Sequence, residues 1–231
     1  MPADFSFFDA GCWYVVFLAS TTLHEASHAF VALKLGDDTA FRAGQVSLDP
    51  TPHIKREPIG MVVVPILFYV MAGYIVGWAS APYDPEWARA NPKRAGVMGI
   101  AGPCANVLLV LAAALLIHVG AAFGWFHIST HPYGAHVAMA LKEGIPHLFA
   151  VLLSIAFTLN LMLFCFNLLP VPPLDGSSFP LLFLSREAAD KYSRFLRHPG
   201  LALLGVILAY RLFPAIFEPI QDVAARILLP G

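Results

Sequence analysis

Residues 11–36 read GCWYVVFLASTTLHEASHAFVALKLG, an apolar stretch that carries two histidines and a glutamate in its second half. A membrane-crossing helix takes about 20 mostly apolar residues, so this stretch is long enough to span a bilayer. His24 and His28 are four apart, share one helical face, and can bring both imidazoles to one metal ion. Glu25, one residue on from His24, can reach a metal-activated water and take its proton without binding the metal itself. A carboxylate near the bilayer centre costs roughly 2.5 kcal/mol or more, so such a residue is rare without a function. Ser20, Thr21, Thr22 and Ser27 add polarity nearby, which back-bonding to the helix explains equally well.

Composition puts the rest of the chain in the same environment. Of 231 residues, 58% are hydrophobic and 13% charged, and mean hydropathy is +0.69. Soluble domains carry about 25% charged residues, so this chain lacks the charge to cover a soluble surface. The length suits a single membrane-embedded domain over 1–231 with no large appended module. A net charge of −1 argues against a nucleic-acid partner. Cys12, Cys104 and Cys165 sit singly in apolar stretches, so neither a thiolate zinc site nor a redox dithiol is expected. The first ten residues lack a basic n-region, and the first apolar stretch is expected to stay as an anchor.

The expected fold is an all-α polytopic membrane protein with about four full spans, near 11–35, 97–119, 147–169 and 199–217. Segment 59–79 is apolar too, but Gly60, Pro65, Gly73 and Gly77 interrupt it. Basic residues concentrate in 36–58, 80–96 and 184–198, which marks all three as cytoplasmic, with the N-terminus and 120–146 outside. A single crossing by 59–79 would put 36–58 and 80–96 on opposite sides. A re-entrant or hairpin excursion removes that conflict, and broken helix survives at membrane depth where protein or a wet cavity satisfies it. Segment 41–48 (FRAGQVSL) alternates and ends at DPTP, which predicts a short β-like cytoplasmic hairpin strand. Such an edge would be able to pair with an extended substrate.

A catalytic zinc site takes three protein ligands and keeps one position for water. Asp175, in FNLLPVPPLDG (166–176), follows three prolines that force the chain extended, and Asp-Gly makes a turn that can aim the carboxylate back into the bundle. Capping the following helix is the other use of that dipeptide. Glu187 is the competing carboxylate, but it lies in the polar, basic stretch SREAADKYSR.

HEASH in the first span, AGPCAN (101–106) at the start of the second and NLLPVPPLDG (167–176) at the end of the third together resemble the site-2 protease family, over about residues 12 to 210. SLDPTPHIKREPIG resembles the compact bacterial branch, without the PDZ or CBS domains of larger members. The resemblance implies an intramembrane metalloendopeptidase of the bacterial plasma membrane. It implies one Zn2+ per chain on His24, His28 and Asp175, with Glu25 as general base, and transmembrane proteins as substrates. It also implies that Asn167 serves the substrate carbonyl or oxyanion, where the residues alone allow a helix cap equally. Asn106 has two readings, a substrate-side donor or an interhelical hydrogen bond. The alternative to a protease is a polytopic metal or small-solute transporter using the same polar residues.

Overall fold

The structure is a computed structural model describing residues 6–129 and 134–228. Helix α1 runs Phe7–Leu35. Ser6 caps its start by accepting from the amide of Asp9, and left-handed Gly36 closes its end with Lys34 in the last turn. Each device satisfies groups that a helix end leaves open. Two short helices follow, α2 (Thr39–Arg42) and α3 (Thr51–Arg56). A π-helical turn, Ile59–Val63, leads into α4 (Val64–Ala72), and α5 is Pro85–Ala90. The long helices α6 (Pro92–Ala122) and α7 (Ile145–Asn167) flank a two-stranded antiparallel sheet, β1 (Phe126–Ile128) with β2 (Ala138–Ala140), register Phe126 opposite Ala140. A 3-10 segment, Asp175–Leu182, precedes α8 (Arg186–Leu196) and α9 (Pro199–Leu228).

Among the described residues three helices are long and apolar enough to cross a membrane: Pro92–Ala122, Ile145–Asn167 and Gly200–Leu228. Helix α1 has 29 residues but not the hydropathy, because Ser20, Thr21, Thr22, His24, Glu25 and His28 are all buried on it. Its polar groups face protein. Helix α6 packs against α1, α7 and the 3-10 segment, so it forms the centre of the molecule.

Segment 59–79 is a hairpin. The amide of Trp78 donates to the carbonyl of Gly60 (3.1 Å). Arg56 Nε donates to the carbonyl of Ser80 (3.0 Å), and Ser80 Oγ donates to Glu57 (2.6 Å). The chain returns to the level it left, and its helical leg of 14 residues, Ile59–Ala72, is shorter than a span.

The three basic segments then meet at one end. Arg94 donates to the carbonyl of Leu35, Asp37 accepts from the amide of Asp84, and Arg89 stands 3.9 Å from Asp190 of α8. The opposite end holds the β-pair, with Phe8 stacked on His147.

The strand expected at 41–48 is not there. Thr39–Arg42 is helical, Gly44 turns the chain at φ +74°, and the amides of Asp49 and Thr51 donate to Ser47 Oγ and Asp49 Oδ1 within their own turn. The alternation was misleading because burial does not follow it: residues 41–44 are all exposed, Gln45 is buried and Leu48 is exposed again. The strand pair occurs instead in the long connection between α6 and α7.

Candidate metal centre

Two elements deliver three ligand atoms to one point. His24 and His28 project from the same face of α1, and Asp175 opens the 3-10 segment beyond Pro170, Pro172 and Pro173. The Nε2 atoms stand 3.1 Å apart, and Asp175 Oδ2 is 3.0 Å from His24 and 3.2 Å from His28. Ligand atoms on a tetrahedral zinc, bonded at about 2.0–2.2 Å, lie roughly 3.3 Å from one another, so the triangle is of the right size.

The far nitrogens set the chemistry of that triangle. His28 Nδ1 lies 2.7 Å from the carbonyl of Met98, which can only accept, so Nδ1 carries a proton and, in the neutral ring, Nε2 is a bare lone pair. His24 Nδ1 lies 2.6 Å from Asn106 Oδ1, the same arrangement through a side chain. With both rings neutral, two imidazole lone pairs and a carboxylate oxygen converge on one point, an arrangement that suits a cation. The donor set fits a metal.

Backbone crowding makes room for it. A Cβ on Gly102 would overlap Nε2 of both histidines, so α6 approaches the imidazoles as closely as it does because residue 102 has no side chain. Gly176 does the same for the acid. A Cβ there would overlap the carbonyls of Leu168 and Leu169, so glycine lets the chain fold back tightly after Asp175. Tyr192 Oη donates to the carbonyl of Ser177 (2.9 Å) and ties α8 to that turn.

Glu25 is buried and, with His28 and Asp175, lines a cavity of about 480 Å³. The wall of that cavity includes Ser80 and Tyr83 from the return of the hairpin and Arg89 and Arg197 from the basic end. It therefore runs from the triangle toward the end where the basic segments gather.

Other sequence candidates are placed differently. Asn106 is fully buried and bonded to His24 Nδ1 (2.6 Å) and to Asn160 of α7 (2.8 Å). Asn167 is the half-buried last residue of α7, and no hydrogen bond ties it to the triangle. Glu187 is exposed on α8, paired with Lys191 at 2.8 Å. Asn160 and the Met98 carbonyl escaped the sequence reading, and Ser20 entered it only as polarity near the motif. For Asn160 a signal existed, since it is a lone amide inside an otherwise apolar helix.

With this geometry in hand, residues 13–207 match the profile described as Peptidase family M50. The chain belongs to peptidase family M50. This is the family of the site-2 proteases, as the three motifs had indicated. Among curated proteins the M50 chain is 37% identical over 164 residues to "Putative zinc metalloprotease YwhC" of Bacillus subtilis, covering 70% of this chain and 64% of that protein. It is 32% identical over 159 residues to "Putative zinc metalloprotease Rip2" of Mycobacterium tuberculosis, and 31% to the Rip2 of Mycolicibacterium smegmatis. These matches cover 69% of the M50 chain and 52% of each Rip2, so it spans about half to two-thirds of its relatives. No solved structure matches.

Proposed function

We propose that this chain is a zinc-dependent endopeptidase that hydrolyses peptide bonds in or near transmembrane segments of other proteins. The single observation that carries the reading is the convergence of three ligand atoms, 3.0 to 3.2 Å from one another, beside a buried, cavity-lining glutamate. His24, His28 and Asp175 would hold the zinc. When bound, the metal supplies a Lewis acid that polarises the scissile carbonyl and lowers the pKa of water.

The chain's own residues do the rest. Glu25 takes the proton of the attacking water on its carboxylate and hands it to the leaving amine. Burial of Glu25 keeps bulk water from competing for it and strengthens its field at the reacting carbonyl. Asn167 enters only through the motif shared with site-2 proteases, as a donor to the substrate carbonyl. The proposed topology has α1 cross the bilayer as a fourth span, with the hairpin re-entrant beside it. The basic end then faces the cytoplasm under the positive-inside rule, and the cavity opens there. A transporter gains no support from the spans, which show no inverted repeat, and it would leave Glu25 without a proton-transfer role.

The test uses the purified full chain with a single-span reporter protein. Wild type should bind one zinc and cleave, and Glu25→Gln should keep the zinc and lose cleavage. Cleavage by a zinc-free His24→Ala variant would overturn the reading.

A further inference from the structure

Behind His24 lies a run of buried polar groups that the proposed reaction does not use. His24 Nδ1 meets Asn106 Oδ1 at 2.6 Å, and Asn106 Nδ2 donates to Asn160 Oδ1 at 2.8 Å. Asn160 Nδ2 in turn donates to the carbonyl of Ala156 (2.8 Å) and to Ser20 Oγ (2.9 Å). Asn106 and Asn160 are wholly inaccessible and Ser20 nearly so. The run passes from α1 to α6 to α7 and back to α1.

Its direction is fixed at one end. A backbone carbonyl only accepts, so the Asn160 group facing Ala156 must be its NH2. Asn160 then has only its oxygen to offer Asn106, which must answer with its own NH2. That leaves the Asn106 oxygen for His24, so His24 Nδ1 must bear a hydrogen, and in the neutral ring Nε2 is then bare. Each amide passes the polarity on because it has an acceptor on one side and donors on the other.

We propose that Asn160 is a positioning residue that, through Asn106, fixes the tautomer of His24 and so presents its Nε2 as a metal ligand. The proposal rests on His24 being a ligand and goes beyond it, since Asn160 touches neither histidine nor metal. His28 needs no such relay because its Nδ1 faces the Met98 carbonyl directly. The two histidines are therefore oriented by different means, one by backbone and one by two side-chain amides. Without Asn160, the Asn106 amide is free to rotate half a turn, present NH2 to Nδ1, and put the proton on the nitrogen that should bind the metal.

The experiment measures zinc affinity of the full chain in detergent by competition with a chromophoric chelator. Asn160→Leu, and the smaller Asn160→Ala beside it, should weaken zinc by about 10- to 100-fold, as losses behind a metal ligand do. In an Asn106→Leu background the same changes should cost almost nothing further. An Asn160 variant within twofold of wild type, or losses that simply add to those of Asn106→Leu, would overturn the proposal. A merely structural role for Asn160 would lower the unfolding temperature of the zinc-free protein without this non-additivity.

A second measurement needs no asparagine variant. In 15N-histidine spectra of the zinc-free chain, the His24 signal, assigned by its loss in His24→Gln, should be that of the Nδ1–H tautomer. The Nε2–H form there would overturn the proposal. Failure of wild type itself to bind one zinc would instead sink the metal reading on which this rests.

Discussion

At the scale of single residues, the two roles in HEASH separate cleanly by measurement. Glu25→Gln should lower cleavage of a single-span reporter by about 100-fold or more while zinc stoichiometry stays at one. Asp175→Ala should lose the zinc, and a metal assay reading full occupancy would remove Asp175 from the ligand set. Gly102→Ala is a sharper probe of packing. Its new methyl overlaps both Nε2 atoms, so the variant should fold at a cost of about 1–3 kcal/mol and bind little zinc. His24, His28 and Asp175 were legible as candidates because each broke a local rule: charge in an apolar span, or an acid after a proline-stopped helix. Asn106 was legible as a buried amide but not as a partner of His24. Which group a side chain faces depends on how α1 and α6 cross, and no single segment encodes that.

At the scale of elements, the joint between α1 and α5 makes a pH prediction. Burial would raise the Asp37 carboxyl, but donors from the Thr39 hydroxyl and the amides of Asp84 and Thr39 hold it below its usual value. The folded value lies below the unfolded one of about 3.9. Asp37 therefore contributes its full stabilisation above that pH and loses it as pH falls through the folded value. Asp37→Asn should cost about 1–2 kcal/mol at neutral pH, and the gap to wild type should close on acidification. A gap independent of pH, by thermal unfolding in detergent, would show that the charge is not what holds the joint. The same region shows where pattern reading fails. Alternation at 41–48 presumes that apolar side chains turn inward, yet Phe41 and Leu48 point out and Gln45 points in. The hairpin at 59–79 was recoverable, because charge bookkeeping on its flanks is independent of which way side chains face.

At the scale of the whole molecule, the metal should act as a staple between α1 and the 3-10 segment, 147 residues after His28. A ligand that binds only the folded state stabilises it by about 2.7 kcal/mol at 100 times its Kd. Chelation should therefore lower the unfolding temperature of wild type, and should not move that of Asp175→Ala. The central position of α6 has a further consequence. Met98, Gly102 and Asn106 each meet the histidines, by carbonyl, by bare Cα and by amide, at steps of four residues along one helix. A leucine scan down α6 should therefore lower zinc occupancy at Gly102 and at Asn106, four residues apart, and spare it at Met98, whose contact is a backbone carbonyl that leucine keeps. The spacing of those losses would report the orientation of α6 without any structure being solved.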